Sequence, residues 1–182
     1  NIEAEEEISK KFYSDYKKFR MNLFNHIKEK NPNINEILIF EKTQKLIDRF
    51  IFVCFCEDTA LLDEKTIRKL VEVARKRLSR SNTKIWAEMK DLFLGIDLGS
   101  PEHNINRFNG GLFAEDNIID NFTIEDDIFE ELALISDYDF ASDLNVNILG
   151  HIFEQSLNDI EEIKASLSGE NFDEKKGKRK KD

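Results

Sequence analysis

The chain has 182 residues, 40% of them hydrophobic, which suits one globular domain that buries roughly 70% of its unfolded surface without disulfides or metals. Two prolines, seven glycines and fifteen phenylalanines favour long helices, and no apolar run reaches the ~18 residues of a membrane span. The N-terminus lacks the basic-then-apolar pattern of a secretory signal, so a cytoplasmic location is expected, and the formal net charge of −10 argues against an evenly basic nucleic-acid binder.

Residues 3–30 carry Ile8, Phe12, Tyr16, Phe19, Leu23 and Ile27 at spacings of three and four, the pattern of one face of a long amphipathic helix. Asn31-Pro32-Asn33 ends it, because Pro cannot continue the hydrogen-bond ladder. A second helix is expected over about 35–59, amphipathic at first and apolar on every side from Phe50 to Cys56, as the central element of the core. Cys54 and Cys56 sit two apart on it, pointing in different directions, so they read as buried reduced thiols rather than a disulfide or metal pair. His26, His103 and His151 show no metal-ligand spacing.

A third helix is expected over 64–80, with Asp63 as its N-cap. Ile67, Leu70, Val71, Ala74 and Leu78 occupy one arc, and Lys65, Arg68, Lys69, Arg75, Lys76 and Arg80 the opposite one. Residues 65–84 hold eight basic side chains and one acidic, and residues 175–181 hold six basic and none acidic. Such a stripe is either a solvated helix face or a surface that meets nucleic-acid phosphates, and it carries no base-reading signature.

Ser81 or Asn82 can cap a fourth helix running to about Leu94, with Ile85, Met89, Leu92 and Phe93 in the core and Trp86 either in the core or an exposed partner contact. Residues 95–123 lose helical periodicity and collect glycines, the kind of long irregular segment that often carries interdomain contacts. Within it, Phe108, Asn109, Gly110, Gly111, Leu112 and Phe113 form a candidate contact element, with room for a short hairpin. Thr123 and Asp126 open a fifth helix through Ile128, Phe129, Leu132 and Ile135. Asp143 or Asn145 can cap the last helix, over about 145–167, in which Gly150 implies close packing against another helix. The expected fold is therefore all-α, a bundle of about six helices in one domain over 1–167, followed by a disordered basic linker over 168–182.

The residues converge on no recognisable chemistry. The glycines follow no strand and precede no P-loop Lys-Ser/Thr, and no succession of β-rich runs announces a dinucleotide or S-adenosylmethionine fold. Asp63-Glu64-Lys65 and Glu125-Asp126-Asp127 are consecutive acidic clusters, read as solvated surface in a chain with 37 acidic residues. No catalytic residue, cofactor or metal is assigned to this chain.

Three segments together resemble one family. The run from Ile148 to Glu161, Ile-Leu-Gly-His-Ile-Phe-Glu-Gln-Ser-Leu-Asn-Asp-Ile-Glu, is similar to the helix preceding the methyltransferase domain of type IIG restriction–modification enzymes and related adenine-N6 DNA methyltransferases. Phe108 to Phe113 resembles that family's "Tyr/Phe-Asn-Gly-Gly-Leu-Phe" element upstream of the helix. Asp48-Arg49-Phe50-Ile51-Phe52, with Phe55, Glu57-Asp58 and Leu61-Leu62, resembles its Leu-rich segment ending "Phe-Leu-Glu-Asp-Arg-Gly-Leu-Leu", from which Cys-Glu-Asp-Thr-Ala-Leu-Leu departs mildly. The three follow the family's order across residues 46–162.

The resemblance implies a non-catalytic helical connector between a nuclease domain and a methyltransferase domain, with duplex DNA as the parent enzyme's partner. It implies S-adenosylmethionine for the parent, and Mg²⁺ if a nuclease is present. Family methyltransferases begin with a basic linker and a "Gly-x-Phe/Tyr-Tyr-Thr-Pro" motif, and the sequence ends at Lys178-Arg179-Lys180-Lys181-Asp182, where that motif is expected. None of the family's catalytic residues has a counterpart here. The alternative is a protein-interaction module of a phage-defence methyltransferase that lacks a nuclease.

Overall fold

Ile2 to Lys30 form the first helix (α1), which buries the predicted stripe of Phe12, Tyr16, Phe19, Leu23 and Ile27. The computed structural model describes the backbone of residues 2–179 and the side chains through Gly169. The fold is all-α as expected, with α2 (Glu36–Asp58), α3 (Thr66–Lys76), α4 (Lys84–Leu98), α5 (Asn117–Asp120), α6 (Phe129–Ser136) and α7 (Val146–Arg179) completing the helices. Among the described residues the only extended pairing is an isolated bridge between Ser100 and Ile105. No hairpin forms over 108–113.

The helix boundaries follow local chemistry. Asn31 closes α1 by donating its Nδ2 to the carbonyl of Ile27 at 2.7 Å. Asn35 opens α2 by accepting from the amides of Ile37 and Leu38 at 3.0 and 3.2 Å. Asn145 does the same for α7, accepting from Asn147 and Ile148. In α2, Phe50, Ile51, Val53, Cys54 and Cys56 lie in the core, while Phe52 and Phe55, on the same apolar run, are only half-buried. The ring of Phe50 meets Phe19 of α1, Phe93 of α4 and Phe129 of α6 at centroid distances of 6.4, 5.8 and 6.0 Å. Burying one such side chain contributes about 2–3 kcal/mol.

Two caps come from distant parts of the chain. Asp63 does not cap α3; Lys65 sits in the left-handed region at φ 56°, and the carboxylate of Glu57, on α2, accepts from the amide of Ile67 at 3.2 Å. Neither Ser81 nor Asn82 caps α4 by side chain. Asp126 accepts from the amide of Ile85 at 2.9 Å and donates its own amide to the Asn82 carbonyl at 2.7 Å. This reciprocal pair ties the start of α4 to the start of α6.

Three spans differ from expectation. Helix α3 stops at Lys76 rather than 80, and Leu78 is fully exposed instead of lining the core. The side chains of Ser79 and Ser81 accept from the amides of Ser81 and Thr83, local bonds that compete with the helix ladder. Helix α4 runs on to Leu98, where Gly99 at φ 80° turns the chain away. Helix α7 continues to Arg179, so 168–179 extends the helix where a disordered linker was expected. That stretch has no proline, and its Lys and Glu residues allow a helix already fixed by packing to propagate. The rest of the expected linker, 180–182, lies outside the described residues.

Candidate functional site

The six basic candidates of the third helix divide into two groups. Arg68 donates its Nε to Asp137 Oδ1 at 2.7 Å and its Nη2 to the second carboxylate oxygen, and Arg75 reaches Glu130 at 3.1 Å. Both pairs join α3 to the region of α6, so these guanidinium groups are engaged within the molecule. Lys65, Lys69, Lys76 and Arg80 take part in no ion pair among the described residues. The available positive charge is therefore sparser than the sequence stripe, with Lys65 and Lys69 at the start of α3, Lys76 at its last residue and Arg80 in the loop after it. Arg77 lies in the same loop and leans toward Glu88 at 3.5 Å.

The Phe108–Phe113 element is anchored to α2. Phe113 is buried, and the rings of Phe108 and Phe113 pack on Phe52 at 4.5 and 5.5 Å. Gly111 has φ 75°, which a residue with a side chain adopts only with strain. At Gly110 a Cβ would lie 2.5 Å from the Phe108 ring, so the ring can fold over the turn only because no side chain is there. Asn109 is exposed at the tip.

Sequence reading missed the group that holds this turn in place. Arg49 is only 1% exposed, and it donates from Nε to the Leu112 carbonyl at 2.8 Å and from Nη2 to the Ala114 carbonyl at 2.9 Å. Its guanidinium also lies over the rings of Phe93 and Phe113 at 5.1 and 5.8 Å. The signal was a charged pair, Asp48-Arg49, set inside the apolar run from Leu46 to Cys56. A little further on, Asp116 caps α5 through the amides of Ile118 and Ile119 and accepts from Lys42 and Lys45 at 2.7 and 3.0 Å. These bonds hold its carboxyl below the usual carboxylate range, even though burial opposes them.

Between α2 and α7 runs an apolar groove of about 550 Å³, whose walls include Ile51, Phe52, Phe55, Leu112, Leu149 and Phe153. Its polar inner end is Gln44, Asp48 and Ser156. Gln44 donates to Tyr16 Oη and to Asp48, each at 2.9 Å, while Ser156 accepts from Arg20 at 3.1 Å. Burial pushes the Asp48 carboxyl up to about 6. All three segments that carry the family resemblance border this one groove: 48–55 from α2, Leu112 from the turn, and 149–160 from α7.

The other candidate chemistries are accounted for by packing. Cys54 and Cys56 are buried and free, and burial raises both thiols, Cys56 to about 11, so neither is a thiolate near neutral pH. The His26 Nε2 accepts from the amide of Glu125 at 2.9 Å, and burial lowers its pKa, which keeps the ring neutral. His103 bonds Ser100 at 2.7 Å, and His151 is exposed on α7. Among the described residues no three His, Cys, Asp or Glu side chains gather as a metal site, and no helix is long and apolar enough to cross a membrane.

Comparison with known proteins places a relative beside this geometry. The chain is 30% identical, over 165 aligned positions, to a protein of Methanocaldococcus jannaschii that bears the name type II restriction enzyme and methyltransferase. The alignment covers 75% of this chain and only 14% of that protein. The chain is thus similar to a minor part of a restriction–modification protein. No family model matches it, and no solved structure matches it.

Proposed function

We propose that this chain is the helical connector of a cytoplasmic restriction–modification enzyme of type IIG organisation. It holds a nuclease domain and an adenine-N6 methyltransferase domain in fixed relation while its basic edge rests on duplex DNA. The observation that carries this reading is the meeting of the three family-like segments around one non-catalytic groove, in a chain that spans 14% of its relative. A segment devoted to catalysis would bring reactive side chains together; here the shared residues bring together apolar walls and a pinned turn. S-adenosylmethionine, and Mg²⁺ for cleavage, would bind in the flanking domains.

The DNA-facing part rests on Lys65, Lys69, Lys76 and Arg80, because Arg68 and Arg75 are neutralised by Asp137 and Glu130. Contacts of this kind release counterions, so affinity falls with salt by a slope of about 0.9 per phosphate engaged. Replacing Lys69, Lys76 and Arg80 by Gln in the full-length enzyme should weaken binding to every DNA sequence alike and reduce the salt slope by about 2 to 3. An unchanged slope would remove DNA contact from the proposal and leave the connector as a purely protein-facing module.

A further inference from the structure

The groove between α2 and α7 holds a feature that the chain itself does not use. Gly150 lies within α7 on the groove wall, and a Cβ built there meets no atom within 4 Å. A glycine inside a helix weakens that helix, and here no internal packing offsets the loss. Two polar atoms deepen the oddity. Gln44 Oε1 is buried without a hydrogen-bond partner, and Asp48 beside it has no cation among its described partners. Lys45, three residues earlier on α2, is turned to Asp116, and Arg49 to the carbonyls of Leu112 and Ala114.

The exposed edge of α7 states what shape would fit. Val146, Gly150, Phe153 and Leu157 recur at spacings of four, three and four, the seam on which a second helix packs at a shallow angle, and the buried Ile160 closes its inner end. Val146 and Leu157 are 66% and 61% exposed, although both belong to this apolar seam. Glu154 and Glu161 flank the seam on its solvent side, and both are exposed. A second copy of this chain, carrying the same acidic flank and a net charge of −10, would meet like charge there.

We propose that the groove seats a basic amphipathic helix supplied in cis by another part of the parent polypeptide, its backbone crossing α7 at Gly150 and a Lys or Arg side chain reaching Asp48. The cationic donor would pair with the Asp48 carboxylate, and the apolar stripe would cover Phe153 and Leu157. This inference rests on the connector reading above for the source of the helix. The shape and charge of the groove stand apart from that reading.

The test is photo-crosslinking in the full-length protein, with Leu157 replaced by benzoylphenylalanine and the adducts mapped by mass spectrometry. The expected adduct lies within the same polypeptide, on a lysine- or arginine-bearing helical segment outside residues 1–182. Gly150→Leu should cut its yield at least about tenfold, as steric filling of a close helix crossing does, and Asp48→Asn should lower it also. Thermal melts of the 182-residue chain carrying Gly150→Leu, expected unchanged or raised, show that the variant folds. An adduct between two copies, an adduct to a separate protein or to an acidic helix, no adduct, or a yield indifferent to Gly150→Leu would each overturn the proposal. Methyl transfer by the unsubstituted full-length protein is measured in parallel. If a cis adduct forms without methyltransferase activity, the connector reading fails and the groove assignment stands.

Discussion

Arg49 on α2 donates from Nε to the carbonyl of Leu112, a contact that spans 63 positions of the chain. With its second bond to Ala114 it turns an otherwise irregular loop into a fixed wall of the groove. The guanidinium is buried with no carboxylate in direct contact; its compensation comes from two carbonyls, two aromatic faces and the more distant charges of Asp120, Asp116 and Asp97. Replacing Arg49 by Met should cost about 3 kcal/mol, since two buried carbonyls lose their donors. Arg49→Lys should recover little of it, because one ammonium cannot span both carbonyls as the planar fork does. Urea denaturation followed by circular dichroism measures both.

Glu57 predicts a pH dependence. Burial, with Asp58 adding to it, pushes its carboxyl from 4.5 up to about 7, against the bonds it accepts from the α3 amides. Asp48 moves the same way, to about 6. A carboxyl that is harder to ionise in the folded state contributes its full stability below its unfolded pKa and loses it as pH rises through the folded value. The chain should therefore lose stability between about pH 4 and 7. Glu57→Gln keeps an acceptor for Ile67 and should flatten the loss by up to about 3 kcal/mol. Unfolding free energies at a series of pH values test this, read as the difference between the two proteins. Asp116, whose carboxyl is depressed, acts in the opposite sense and only in the acid range.

Two glycines should respond in opposite directions. Gly150→Ala places a methyl group in open space and removes a helix penalty, so the isolated chain should gain up to about 1 kcal/mol. Gly110→Ala drives its Cβ into the Phe108 ring and should cost about 1–2 kcal/mol as that ring leaves Phe52. Thermal denaturation of the two variants side by side gives the signs.

The two kinds of cation on α3 can be separated by stability alone. Arg68 holds Asp137 with both arms of its side chain, yet the two side chains are 40% and 52% exposed. Arg68→Ala should therefore cost less than about 1 kcal/mol, and it should leave any DNA salt slope unchanged. A slope that falls with Arg68→Ala would show that the guanidinium leaves Asp137 to meet phosphate.

The helical periods of α1 and α7 were plain in the sequence because each buries a continuous stripe, and α2 was plain as an apolar run flanked by a helical pattern; Phe12, Phe50 and Leu149 are buried as spacing and apolarity imply. The end of α3 was hidden because Leu78 continues the apolar period, while the local bonds of Ser79 and Ser81 decide the backbone. The basic stripe was legible as a count of charges. Which of those charges stay free depends on Asp137 and Glu130, more than fifty positions away, and pairing over that distance leaves no mark in local spacing. The groove was half-visible. The resemblance supplied its three walls, and only the fold showed that they meet.

The indole of Trp86, the single tryptophan of the chain, is 2% exposed and donates its Nε1 to the carbonyl of Phe122 at 2.9 Å. One fluorophore thus sits at the joint between α4 and the segment that leads into α6. Its emission should be blue-shifted while that joint is closed and move to longer wavelength when water enters. Excited at the red edge where the three tyrosines do not absorb, the fluorescence of the unlabelled chain therefore follows a single junction, and any of the variants above can be followed optically without attaching a dye.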